Sequence, residues 1–281
     1  MWLHQEFKFT KSVIAKIFHF SRNSYYTNHK LDGKDRRLAD RIEMVYEIDD
    51  TLGHHKLGKI LAANHKRVLR VMSKYQIKPR LKKRKYHYAG KSKQISRNLL
   101  LRQLKLKFYE IIFSDIFQFR LKDGSKVYCC FVIRKHTRQI LAFSYGYGMG
   151  AELVVDTINN VKLIKIESDV KIIFHSDQGS QYGAKLTVDK LIEYGFTQSM
   201  SRAGTPTDNA MGERFVGIFK LAVVERYRYE NIGHFIEFAQ KWLNFYNQTR
   251  PHESLRNKTP NQFATDSNLQ IVSYLVVNNA Q

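Results

Sequence analysis

A carboxylate at the end of an apolar run is costly, and this chain places Asp177 there, in FHSDQGSQYGA, between a predicted buried strand and a loop of small polar residues. Asp115 interrupts FYEIIFSDIFQF on the strand parity of Ile111, Phe113, Phe117 and Phe119, so it is predicted to sit among four apolar neighbours. Ionising it there requires a cation or hydrogen-bond donors. Glu213 follows Asp177 after 35 intervening residues, on a long helix predicted from Asp208 to about Arg226. Helical periodicity sets it with Asn209, Gly217 and Lys220, away from the apolar face of Met211, Phe215, Ile218 and Ala222. Glu225, on the same predicted helix, is about 18 Å further along at ~1.5 Å per residue and about 120° around the axis, out of reach of a shared centre. Three acids of this kind suit a hard cation: Mg²⁺ takes oxygen ligands and keeps positions open for phosphate and water. Taken singly, each has a plainer reading: Asp177 as a turn residue, Glu213 as a solvated side chain, Asp115 in a partly buried salt bridge with Arg138. Their conjunction is the stronger signal.

The partner class follows from charge. The 281 residues hold 47 Lys and Arg against 25 Asp and Glu, a formal net charge of +22, which calls for a polyanion. No acid occurs between Asp50 and Glu110, whereas 18 Lys or Arg fall between Lys56 and Lys107. Within that stretch Val68, Val71, Met72 and Tyr75 form one helical face, and Lys66, Arg67, Arg70 and Lys74 gather away from it. A basic face without acids predicts phosphate contact, continued by Lys82, Lys83, Arg84 and Lys85. The two cysteines, Cys129 and Cys130, are adjacent on a predicted strand, point to opposite faces, and give neither a disulfide framework nor a zinc site, as expected in a reducing cytosol. No apolar run approaches a membrane span, and nothing in the sequence suggests export.

Three regions are predicted: a basic helical region and linker over 1–97, an α/β core over 98–230, and a C-terminal helix and tail over 231–281 that packs on or extends the core. The first reads as short helices, including KSVIAKIFHF and RNSYYTNHK with Ser21 as a cap between them, then RRLADRIEMVYEI, with a weak helix-turn-helix pattern. The second reads β-β-β-α-β, then helix, strand and long helix, which is a mixed sheet between helices.

HSDQGSQY, SMSRAGTPTDNAMGERF and YNQTRPHESLRNKTPNQF stand in one order and spacing that resembles the DDE transposases of bacterial insertion sequences, namely the second-reading-frame product of the IS-three group, related to retroviral integrases. SRNSYY and HKRVLRVMSKYQIKP are similar to that family's helical DNA-binding segment. The resemblance implies an RNase H-like fold whose Asp115, Asp177 and Glu213 bind two Mg²⁺ or Mn²⁺ ions. It implies nicking of transposon ends and transfer of the freed 3′-OH to target DNA by in-line displacement at phosphorus. It also implies action on double-stranded DNA as a homo-oligomer in the bacterial cytoplasm, at the nucleoid, with the upstream-frame product or a frameshift fusion as a further partner. Asn209 and Lys220 become DNA-contact candidates, and the Gly179, Ser180 and Gly183 loop a place for close backbone approach. His175 has two open readings: a general base, or a residue that packs in the core or supports a metal ligand from behind. Two positions depart from the family: Ile112 stands where a Trp is usual, and Arg134 where an acid is usual, which bears on the support of Asp115 and on packing. A non-catalytic or decayed transposase that binds DNA, and a general RNase H-like nuclease, are the competing functions.

Overall fold

The computed structural model describes residues 9–19, 22–81, 96–101, 109–162, 171–202, 209–267 and 276–279. The chain divides into two compact units, one of residues 1–47 and 52–79, the other of 48–51 and 80–281.

The first unit holds α1 (Lys11–Ile17), α2 (Arg22–Tyr46), α3 (His54–Ile60) and α4 (His65–Lys74). The two helices predicted from RNSYYTNHK and RRLADRIEMVYEI are one continuous α2, and Ser21 lies outside the described residues. Gly33 does not break the helix, because burial of Leu38, Ala39 and Ile42 outweighs a glycine's cost of about 1 kcal/mol. In α4 Val68, Val71 and Met72 are buried as their spacing requires. The turn from α3 is tight: a Cβ at Gly58 would lie 2.9 Å from the Ala63 carbonyl oxygen. Asn64 opens α4 by accepting the Lys66 N–H at 2.9 Å.

The second unit is built on β1 (Tyr109–Arg120), β2 (Lys126–Arg134), β3 (Ile140–Gly146), α5 (Ala151–Lys162), β4 (Lys171–Ser176), α6 (Lys185–Glu193) and β5 (Phe196–Met200). It continues with α7 (Ala210–Phe219), α8 (Ile232–Gln248), α9 (Pro260–Asp266) and β6 (Val276–Asn279). The sheet order is β5-β4-β1-β2-β3-β6. β1, β2 and β3 form an antiparallel meander, while β4, β5 and β6 pair parallel to β1, β4 and β3. A meander extended by two parallel strands on the side of its first strand is the RNase H-like arrangement, with β6 added at the far edge.

Strand alternation builds a core on each face. Ile111, Phe113, Phe117 and Phe119 join Cys129, Phe131 and Ile133 beneath Phe215, Phe219, Phe235 and Trp242 of α7 and α8. Ile112, Cys130, Val132 and Phe174 pack with Leu153 and Ile158 of α5 on the other side. The adjacent cysteines thus belong to opposite cores and are unbonded. The predicted long helix is instead α7 followed by a π-helical turn over Lys220–Val224, in which the Glu225 N–H donates to the Lys220 carbonyl at 2.7 Å. Angular positions beyond Phe219 therefore depart from 100° per residue.

The second unit also buries an ion pair. Arg250 Nε donates to Asp49 Oδ2 at 2.8 Å, and Asp49 Oδ1 accepts from the Thr51 backbone N–H at 3.0 Å and from its hydroxyl at 2.6 Å. Both charged side chains are almost wholly out of water. Asp49→Ala should lower unfolding free energy in urea by about 3–5 kcal/mol, because Arg250 stays buried without its anion. Glu237→Ala, which removes an exposed partner of Lys241, should cost under about 1 kcal/mol in the same measurement.

Candidate active site

Pairing of β1 with β4 sets Phe113 opposite His175. One side-chain repeat further along the same face come Asp115 and, just past the end of β4, Asp177. Neighbouring strands lie about 4.8 Å apart, and the two acids are close enough for the charge of Asp177 to act on Asp115. α7 packs on this face through Phe215 and Phe219 and carries Glu213 on its exposed side.

Asp115 is half-buried, and its carboxyl is pushed up to about 7. Burial is the largest cause, followed by the charge of Asp177, with Glu213 adding to it; the Ile116 N–H and Lys220 act in the opposite direction without cancelling the rise. The three acids thus share one electrostatic field. Burial likewise raises Asp177, opposed by the Gly179 N–H that its Oδ1 accepts at 2.9 Å. Arg138 does not neutralise Asp115: its Nη1 lies 2.9 Å from Met211 Sδ. Among the described residues no three Asp, Glu, His or Cys side chains are drawn together tightly enough to hold an ion. The donors are all carboxylate oxygens, which fits a hard divalent cation, and the raised Asp115 marks negative charge that a cation would offset.

The other predicted residues separate by role. His175 is fully buried, its Nδ1 2.9 Å from the Ser199 hydroxyl and its Nε2 3.1 Å from that of Ser201, with its ring edge-on to Phe113. Both ring nitrogens thus meet hydroxyls, one on β5 and one just past its end. Lys220 sits on the π turn with Nζ 5.5 Å from the Phe117 ring centroid, one side-chain repeat along β1 from Asp115. Asn209 is 4 % exposed, at the start of α7, with no side-chain capping bond. The space a side chain would need at Gly179 is taken by Asp177 Oδ1 at 3.0 Å and Gln181 Oε1 at 2.9 Å, so this glycine serves closure of the loop on Asp177.

Ile112 is fully buried in the opposite core. Arg134, opposite it in the β1–β2 ladder, is compensated on that same far face by Glu110 at 2.7 Å. Ser114 and Tyr182, which the sequence does not single out, meet on the far face too; the available signal was a hydroxyl next to Asp115 in a largely apolar strand.

In the first unit Lys66 is exposed. Arg70 forks onto the buried Asp35 with two bonds of 2.7 Å, Lys74 pairs with Asp32 and Asp35, and Arg67 Nε lies 3.8 Å from Asp35. Lys82, Lys83, Arg84 and Lys85 lie outside the described residues.

Residues 107–206 match a family described as Integrase core domain, and residues 194–260 match a second family of that description. The provisionally named transposase InsK of insertion sequence element IS150 from Escherichia coli (strain K12) is 28% identical over 255 residues, 86% of this chain and 89% of that protein. The transposase for insertion sequence element IS904 from Lactococcus lactis subsp. lactis (strain IL1403) is 28% identical over 236 residues, 80% of this chain and 92% of that protein. The HTLV-2 integrase catalytic core domain, solved in complex with magnesium, is similar at a TM-score of 0.43 and 15% identity over 54% of this chain and 94% of that one. With family matches running from residue 107 to 260 and insertion-sequence relatives spanning most of its length, the chain belongs to the insertion-sequence transposases of the integrase-core superfamily.

Proposed function

We propose that the protein is a DNA strand-cleaving and strand-transferring transposase whose centre is Asp115, Asp177 and Glu213. Divalent metal, Mg²⁺ or Mn²⁺ as two ions, would supply charge neutralisation at the scissile phosphate and activation of the attacking oxygen. The observation that carries this reading is the juxtaposition of Asp115 and Asp177 by the β1–β4 register, with the field of Glu213 reaching Asp115. Asp115 on β1 would give a fixed ligand position, because the strand cannot slide without flipping its side chains to the other face, and Asp177 follows directly on the end of β4. Glu213, exposed on α7, is the adjustable third ligand. Lys220, on the turn that follows, would meet a phosphate oxygen. The same centre would serve nicking at the element's end and attack by the freed 3′-OH, since both are displacements at phosphorus.

Asp115→Asn, Asp177→Asn and Glu213→Gln should each cut nicking and joining of end-containing DNA at least about a hundredfold with folding retained. Glu225→Gln, beyond the π turn, should keep most of the activity. An active Glu213→Gln enzyme would overturn the assignment.

Asp115 also predicts a pH signature. Its folded pKa of about 7 lies above the ordinary 3.8, so the folded state holds a proton the unfolded chain has lost. The stability tied to that proton is complete below the lower value and is lost as pH rises through the upper one. In chelator, Asp115→Asn should therefore melt higher than wild type at about pH 8 and nearly with it at about pH 4. The gain should be roughly 2–4 °C per kcal/mol of repulsion removed.

For the first unit we infer duplex DNA as ligand, with Lys66 as a phosphate contact. In full-length protein Lys66→Ala should weaken binding across sequences and reduce the slope of log K against log salt by about 0.9, without loss of stability. Arg70→Ala should lose stability as well, because it strands Asp35. An unchanged salt slope in Lys66→Ala would remove that contact.

A further inference from the structure

The strand of Asp115 and the loop of Asp177 are joined a second time, behind the sheet. Asp177 Oδ1 accepts the Gly179 N–H at 2.9 Å, and the Gly179 carbonyl accepts the Tyr182 N–H at 3.0 Å. The Tyr182 hydroxyl then meets Ser114 Oγ at 2.9 Å, and Ser114 is the chain neighbour of Asp115. Ser114 is fully buried on the face opposite Asp115, and Tyr182 is 1 % exposed in the core of that face, its ring 6.2 Å from that of Phe174.

The loop is otherwise secured at its backbone. Thr187 Oγ1 donates to the Gln181 carbonyl at 2.7 Å, and Gln198 Nε2 donates to the Tyr182 carbonyl at 2.7 Å. Those bonds hold the loop to α6 and β5, but neither refers it to β1. The Tyr182 hydroxyl does. A phenyl ring would fill the same volume, and burying a hydroxyl is unfavourable unless it is bonded, so packing alone gives no reason for the oxygen. Besides Ser114, its one further hydrogen-bonding neighbour among the described residues is the weak Cys130 Sγ at 3.9 Å.

We propose that Tyr182 is a positioning residue: through Ser114 it fixes the Asp177 loop against β1 and so sets the spacing of the Asp115 and Asp177 carboxylates from behind. This rests on the assignment of those two acids as metal ligands.

The test measures Mn²⁺ binding to the full-length chain by electron paramagnetic resonance, beside its melting temperature. Tyr182→Phe and Ser114→Ala should each weaken Mn²⁺ binding about tenfold, the low end for groups that support metal ligands. The double variant should lose no more than either single, because both remove the same bond. Tyr194→Phe, which at the end of α6 deletes a hydroxyl bond of 2.6 Å to Asn159 of α5, should bind Mn²⁺ as wild type does. If Tyr182→Phe fails to fold, Ser114→Ala carries the test. Wild-type Mn²⁺ affinity in Tyr182→Phe or Ser114→Ala, or additive losses in the double variant, would overturn the brace. Mn²⁺ binding by wild type that Asp177→Asn leaves unchanged would instead remove the metal centre, and the brace with it.

Discussion

Asp115 on β1 and Asp177, just past the end of the neighbouring parallel β4, repel one another, and the half-buried setting of Asp115 strengthens that repulsion. Much of the second unit can be understood as what keeps them there. The β1–β4 ladder fixes their relative height, and the aromatic cluster of Phe117, Phe131, Phe215 and Phe219 packs the same face and leaves the acids at its margin. The opposing contributions are small: one backbone N–H at each carboxylate, and Lys220 at a distance. Uncompensated charge of this kind is unfavourable, and the divalent ion proposed for this centre would offset it.

The sheet separates that chemistry from the polar groups that hold the chain in place. Side chains of β1 pointing to the Asp115 face meet α7 and α8, whereas Glu110, Ser114 and their partners Arg134 and Tyr182 are handled on the face of α5. The extra cation at Arg134 therefore meets Glu110 rather than the acids of the site. A buried ion pair of this kind adds little stability by itself, but its separation from Asp115 leaves the active face its negative charge.

In the first unit one acid organises several cations. Asp35 is fully buried, and Arg70, Lys74 and Arg67 converge on it from α4, which ties that helix to α2. The basic face is thus partly structural, and a count of its charges overstates how many meet phosphate. Lys66, on the exposed first turn of α4, is differently placed.

Periodicity determined the alternating cores of β1 and β2, the opposite placement of Cys129 and Cys130, and the buried face of α4, because those follow from backbone geometry that each segment carries within itself. The types of the three acids and the net charge led to the expectation of a hard cation and a polyanion. The sequence did not determine that α2 continues through Gly33, that the helix after α7 widens into a π turn, or that Arg70 belongs to Asp35. Each of these is decided by contacts with distant segments, which outweigh local propensity by amounts no local window contains. The same holds for the centre of the proposed site. Asp115 and Asp177 each stand out in the sequence as acids against apolar runs, but they are 62 positions apart in number, and only the parallel pairing of β1 with β4 brings the two segments side by side.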